Sequence, residues 1–271
     1  MELGISTASY FTRKYTEQTL VPIAKLGAKT CEVFLATHSE YTDSFADILL
    51  DELKKSSNYS PLRIHSVHAL TNQFEPELFS LNDRAYSDAL KVFENVLRVA
   101  QKIGATHYTF HGATILKRAV KYNFDFDHIS KRVNHLVEKA AEYGVRFCYE
   151  NVHWTYFSRP DYFDTLKKLC PQLGCTLDIK QARQSGIDYK EYLKVMQGRL
   201  RTVHLCDYDE NGKTEIPGRG KFDFITFFKQ LRNMGYEGPC LMEVYAKDYK
   251  NEEQLKESYE FLEDCLKRSL T

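Results

Sequence analysis

Short runs of β-branched and aromatic residues alternate with longer runs of helical period along the whole 271-residue sequence. This is the pattern of successive βα units. The expected strands are Glu2–Thr7, Thr30–Ala36, Leu62–Ala69, His107–Gly112, Arg146–Asn151, Gly174–Ile179, Thr202–Asp207 and Pro239–Tyr245. The helical runs are Tyr15–Leu26, Ser44–Lys55, Leu81–Ile103, Ile129–Tyr143, Asp161–Leu169, Asp188–Met196, Phe224–Met234 and Glu252–Lys267. In the longest, Ala85, Leu90, Phe93, Val96, Leu97 and Ala100 keep one apolar face at helical spacing. Gly27, Gly104, Gly144 and Gly235 each follow a helical run, where a left-handed residue closes a helix, and a strand begins soon after. Eight βα units in 271 residues, with no linker, predict an α/β protein folded as a single (β/α)8 TIM barrel over residues 1–271. The rival is a doubly wound open sheet; no G-x-G-x-x-G follows the first strand to support it.

Hydrophobic residues make up 43% and charged residues 27% of the chain, enough apolar surface for a large core and too much for a disordered protein. The 37 basic and 37 acidic residues cancel, which argues against gripping nucleic acid or an anionic membrane through bulk charge. The start, Met1-Glu2-Leu3-Gly4-Ile5, lacks the cationic and apolar regions of a signal peptide. No stretch approaches the roughly 18 to 20 apolar residues of a membrane span. Cys31, Cys148, Cys175, Cys206 and Cys240, among seven cysteines, lie in or beside strand-like apolar runs, so buried reduced thiols and a cytoplasmic location are expected. No C-x-x-C pair offers a thiolate zinc site.

In such a barrel the loops after the strands open on one face, so polar residues at the C-terminal ends of strands point to the site. Strand three ends in His65-Ser66-Val67-His68, strand four in Phe110-His111-Gly112, and strand five in Tyr149-Glu150-Asn151. Strand six ends in Leu177-Asp178-Ile179-Lys180-Gln181, strand seven in Val203-His204-Leu205, and strand eight in Met242-Glu243. Glu150, Asp178, His204 and Glu243 are expected to converge on the axis. Three carboxylates and one imidazole suit one divalent cation of intermediate hardness, manganese first, with zinc, cobalt or magnesium as alternatives. Without a cation, three carboxylates so close would repel one another or hold protons.

These strand ends, with Pro217-Gly218-Arg219-Gly220-Lys221-Phe222-Asp223-Phe224, resemble the xylose-isomerase-like barrel superfamily. That group includes sugar-phosphate isomerases and epimerases and the AP endonucleases of the endonuclease IV type. The resemblance implies that Glu150, Asp178, His204 and Glu243 are metal ligands. It also implies that Glu150 and Glu243 are the proton-transferring pair, as in the ketose 3-epimerases. The function implied is isomerisation or epimerisation of a small sugar, ketose or sugar phosphate through proton abstraction beside a carbonyl and an enediolate. Dehydration of a keto-polyol or keto-acid starts from the same intermediate and is the alternative. His68 and His111 match histidines that line the substrate pocket in the sugar enzymes and hold a further zinc, with the strand-five glutamate, in the endonucleases.

Departures from the pattern are informative. The endonucleases, and many of the sugar enzymes, carry a histidine where this chain has Gln181, and the endonucleases have an Asp-x-His element where Pro217-Gly218-Arg219-Gly220 stands. A three-metal nuclease site therefore lacks ligands, and no nucleic-acid or membrane partner is expected. Lys180, Arg183 and Arg219 suggest a local positive cluster for a phosphate or carboxylate. Lys180, Gln181, Arg219 and Trp154 join His68 and His111 as expected substrate-binding residues. His65 is expected to face away from the lumen by strand alternation. The tyrosine-rich segment Tyr245–Tyr259 is a candidate interface for a homo-oligomer.

Overall fold

The computed structural model describes residues 1–115 and 123–270. The barrel strands are β1 (Glu2–Ser6), β2 (Thr30–Leu35), β3 (Arg63–Ala69), β4 (His107–Phe110), β5 (Arg146–Glu150), β6 (Gly174–Asp178), β7 (Leu200–Leu205) and β10 (Pro239–Met242). Every neighbouring pair is parallel, and the sheet closes in the order β1-β10-β7-β6-β5-β4-β3-β2. This is the (β/α)8 barrel read from the sequence. A two-stranded antiparallel hairpin, β8 (Asp207–Tyr208) with β9 (Thr214–Glu215), rises from the loop after β7.

The outer layer consists of α1 (Leu20–Lys25), α2 (Asp43–Ser56), α3 (Asp83–Lys102), α4 (Phe126–Glu142), α5 (Pro160–Leu169), α6 (Ile179–Gln184), α7 (Tyr189–Met196), α8 (Phe224–Asn233) and α9 (Glu252–Arg268). The helix starts are set by polar caps: Thr42, Asn82, Asp125, Asp188, Asp223 and Asn251 each accept a hydrogen bond from a backbone N–H of the first turn. The four expected closing glycines all adopt positive φ, from +71° at Gly144 to +91° at Gly27. The run Tyr15–Leu26 is not one helix; a 3-10 turn, Thr16–Thr19, precedes α1. Pro22 has no N–H to return to the preceding turn, so it sits in the first turn of the helix.

Between helices and strands lies the apolar core. Phe93 of α3 packs edge-on against Tyr108 of β4 and Phe147 of β5, with ring centroids 5.1 and 5.9 Å apart. All seven cysteines are free and buried. No helix among the described residues is long and apolar enough to cross a membrane. Tyr249 and Tyr259 turn inward: their hydroxyls donate to the carbonyls of Ser9 and Leu3. These two side chains staple the C-terminal segment to β1 and to the 3-10 turn Thr7–Tyr10 that follows it, and do not form an outer face.

The lumen departs from the simple alternation in one place. The β2–β3 register shifts between Cys31 and Glu32, which leaves His65 as the extra residue on β3. His65 therefore faces inward, contrary to the expectation from alternation, and its Nε2 lies 3.0 Å from Thr202 Oγ1 on the diametrically opposite β7. Closure itself needs Gly4. A Cβ there would stand 2.3 Å from the Thr30 carbonyl oxygen and 2.7 Å from Leu241 Cδ2, on the two neighbouring strands. Gly4→Ala is expected to destabilise the fold by about 1–3 kcal/mol through overpacking. Thermal and urea melts check this, and an unchanged midpoint would contradict it.

Candidate metal centre

Glu150 closes β5, Asp178 closes β6, His204 is the penultimate residue of β7, and Glu243 follows β10. The strand register brings these ends to one level: Asp178 pairs with His204, and Leu241 pairs with His204 from the other side. One ligand atom from each of the four lies within 4.8 Å of the others. All four are buried, none more than 8% exposed. His204 Nδ1 lies 2.6 Å from Glu243 Oε2 and 3.2 Å from Glu150 Oε1. Glu150 Oε2 and Glu243 Oε2 are nevertheless buried with no well-aligned hydrogen bond. Buried carboxylate oxygens that meet histidine nitrogens without an aligned hydrogen bond leave acceptor capacity unused, which a cation at the cluster would take up. Three oxygen donors and one imidazole nitrogen fit a divalent ion of intermediate hardness, and these four side chains would hold it.

Local structure aims each of them. The Asn151 side chain grips the Asp178 backbone on both sides: its amide donates to the Asp178 carbonyl at 2.9 Å, and its oxygen accepts from the Asp178 N–H at 2.8 Å. Asp178 caps α6 by accepting from the Gln181 N–H at 2.9 Å through Oδ1, which leaves Oδ2 to the cluster. The Glu243 N–H donates to the Leu205 carbonyl at 2.9 Å and so ties its segment to the end of β7.

Two carboxylates that the sequence reading passed over organise the histidines. Glu32 of β2 is fully buried; its Oε1 lies 3.0 Å from His204 Nε2 and 3.3 Å from His68 Nδ1. A charged residue in the apolar run Thr30-Cys-Glu-Val-Phe-Leu35 was the available signal. Glu75, also fully buried, accepts from the Tyr108 hydroxyl at 2.6 Å and from the His111 N–H at 3.0 Å. Its Oε2 is also 3.3 Å from His111 Nδ1, while His111 Nε2 faces Glu150 Oε2 at 3.2 Å. Nothing in Phe74-Glu75-Pro76-Glu77 distinguishes the buried Glu75 from its neighbour Glu77. His68, His111 and Glu150 form a second group with ligand atoms within 4.8 Å.

Of the other expected residues, Trp154 stacks on His111 with centroids 6.3 Å apart. Lys180 is buried, with Nζ 3.7 Å from Asp178 Oδ2 and 4.3 Å from the centroid of the Tyr245 ring. Gln181 is buried beside Asp178, and its Oε1 lies 2.6 Å from His153 Nδ1. The expected positive cluster does not assemble. Arg183 is exposed and stacks on Tyr208 at 3.8 Å, while Arg219 is exposed and pairs with Glu257 of α9 at 3.1 Å. The Pro217–Phe224 motif has a different task. Asp207, displaced from β7 into the hairpin, accepts from the N–H groups of Tyr208, Gly218, Gly220 and Phe222, which folds the loop around one buried carboxylate.

The profile of the xylose isomerase-like TIM barrel family matches residues 21–265. The chain belongs to this family. Fructoselysine 3-epimerase of Escherichia coli O157:H7 is 23% identical over 192 residues, 68% of this chain and 69% of that protein. The crystal structure of a D-tagatose 3-epimerase-like protein superposes with a TM-score of 0.77 at 19% identity, over the full length of both chains. The IOLI protein with a bound zinc atom superposes with a TM-score of 0.76 at 16% identity, over 99% of each chain.

Within this xylose isomerase-like barrel, charge sets the protonation of the cluster. Burial disfavours the His204 cation, but Glu243, Glu32 and Glu150 outweigh it and raise its pKa well above the usual imidazole range. Burial also pushes Glu150 and Glu243 up, yet the neighbouring histidines bring both below the usual carboxylate range. Asp178 goes the other way: burial, with Glu150 and Glu243 nearby, lifts it to about 6 despite Lys180. A divalent ion must therefore displace the His204 proton at neutral pH, and an Asp178 proton as well once pH falls below about 6. Binding is expected to release about one proton near pH 7.5 and about two near pH 5, with affinity rising with pH. Calorimetry of Mn2+ binding in buffers of different ionisation enthalpy measures this; a proton count independent of pH would contradict it.

Proposed function

We propose that the protein is a divalent-metal-dependent epimerase or isomerase of a small sugar, ketose or sugar phosphate, transferring a proton at the carbon beside a carbonyl. The observation that carries this reading is the meeting of Glu150 and Glu243, each with a buried oxygen that lacks an aligned donor, at one cation-sized cluster with Asp178 and His204. The similarity to proteins named as sugar 3-epimerases supports the choice of substrate class. When bound, the ion supplies Lewis-acid polarisation of the substrate carbonyl.

The protein residues do the rest. Glu150 and Glu243 stand on strands three steps apart around the barrel and reach the cluster from different sides. One carboxylate, ionised, takes the proton from one face of the substrate carbon, and the other, carrying a proton at that moment, gives it to the opposite face, so the two end the turnover with their protonation states exchanged. The neighbouring histidines lower the pKa of both, which favours the ionised form that the accepting carboxylate needs. His111, held between Glu75 and Glu150, helps to position the Glu150 carboxylate, and Trp154, stacked on it, offers an apolar wall to the sugar. With Arg219 held by Glu257, Lys180 is the predicted cation that meets a substrate hydroxyl or a single anionic group. Gln181 lies beside it.

Glu150→Gln and Glu243→Gln are each expected to lower kcat at least about 100-fold, the typical worth of a positioned acid or base. Incubating ketoses and ketose phosphates in D2O and following carbon-bound deuterium by NMR tests the reaction itself. Exchange that persists in both variants, or that survives a chelator, contradicts the proposal. Lys180→Met is expected to cut kcat/KM by about 10- to 100-fold, the worth of a charged hydrogen bond. Arg219→Ala should leave it within about twofold, as for an exposed ion pair. Equal losses in the two variants would contradict the placement of Lys180 at the substrate.

A further inference from the structure

Glu32 is a fully enclosed carboxyl group in the lumen that the proton-transfer scheme does not use. It is 0% exposed, and side chains from four other strands surround it. Ser66 Oγ of β3 donates at 2.7 Å and Thr109 Oγ1 of β4 at 2.8 Å, both to Oε2. Ser6 Oγ of β1 reaches Oε1 at 3.5 Å. The same Oε1 faces His68 Nδ1 at 3.3 Å and His204 Nε2 at 3.0 Å. Although Glu32, His68 and Glu243 lie within ligand distance of one another, both Glu32 oxygens are already engaged. Glu32 is placed to orient other groups, not to hold an ion.

An imidazole presents a lone pair on one nitrogen only if the other carries the proton, and an acceptor at the far nitrogen decides which. His204 turns Nδ1 to Glu150 and Glu243, and its Nε2 lies 3.0 Å from Glu32 Oε1 as an ion-pair contact without an aligned hydrogen bond. His68 turns Nδ1 to Glu32, which leaves Nε2 as its outward nitrogen. We propose that Glu32 is a positioning residue that sets the tautomers of both His204 and His68, holding Nδ1 of the first and Nε2 of the second open towards the metal and substrate. This rests on the assignment of His204 as a metal ligand. The hydroxyls of Ser66 and Thr109 saturate Oε2, so Oε1 is the atom left for the two rings. A glutamine has one acceptor oxygen and a donor amide, and it cannot serve both rings and both hydroxyls.

The test uses the full chain and Co2+ alone, followed by its visible absorption. Glu32→Gln is expected to weaken Co2+ binding about 10- to 100-fold, the usual effect of losing an outer partner of a ligating histidine. It should also alter the Co2+ band shape, while far-UV circular dichroism stays that of the native protein. In the Zn2+-loaded protein, long-range 15N–1H spectra should show His204 protonated on Nε2 and His68 on Nδ1, and mixed tautomers in the variant. If Glu32→Gln does not fold, the Ser66→Ala/Thr109→Val pair keeps the carboxylate but frees Oε2 from its anchors, and the same spectra should show a partial loss of tautomer order. Native Co2+ affinity and unchanged tautomers in the variant that folds overturn the role of Glu32 alone. Failure of the unaltered protein to bind Co2+ overturns the metal-centre reading, and the Glu32 proposal with it.

Discussion

An ionised carboxyl taken out of water without a partner costs several kcal/mol, and this barrel buries Glu32, Glu150, Asp178 and Glu243 around one axis. Much of the lumen can be understood as compensation for that concentration of charge. His204 stands between three of the carboxylates, Lys180 lies against Asp178, and Ser66 and Thr109 satisfy one oxygen of Glu32. What remains incompletely satisfied includes Glu150 Oε2 and Glu243 Oε2, which face histidine nitrogens without an aligned hydrogen bond at the level where the strands end. The residual field is therefore local and points to a cation. The even overall balance of 37 acidic and 37 basic residues says nothing of it.

The same placement links fold to chemistry. A parallel barrel carries its strand ends to one level, so one residue per strand is enough to build the cluster, and the register decides which. Asp178 opposite His204 is such a pairing. The side chain of Asn151, bracing the Asp178 backbone from the neighbouring strand, keeps that register at the rim where the sheet would otherwise fray.

The alternation of strand-like and helix-like runs made the barrel legible, because both periods are written locally and the closing glycines mark where helices stop. The convergence of Glu150, Asp178, His204 and Glu243 was legible for a related reason: strand ends in this architecture share one destination. Glu32 was missed because it lies in the middle of β2, away from the ends where polar residues were sought. Glu75 was missed because its burial depends on a loop that contacts β4 only in three dimensions. His65 was misread because a one-residue bulge, invisible to a period-two rule, reverses the alternation. Arg219 was grouped with Lys180 from motif position alone, whereas its partner Glu257 comes from the last helix, 38 residues away.

The loop around Asp207 bears on how this scaffold can diversify. Its shape is held by main-chain N–H groups converging on one carboxylate, with Gly220 so close that a Cβ would fall 2.2 Å from Asp207 Oδ1. The side chains of Arg219 and Lys221 take no part in that scaffold and project outward, each with a surface glutamate. Such a loop separates form from content. Its path is held by one acid and the tight approach at Gly220, and the side chains of Arg219 and Lys221 are not needed for it, so substitutions at these two positions can change what this edge of the barrel displays without changing its shape.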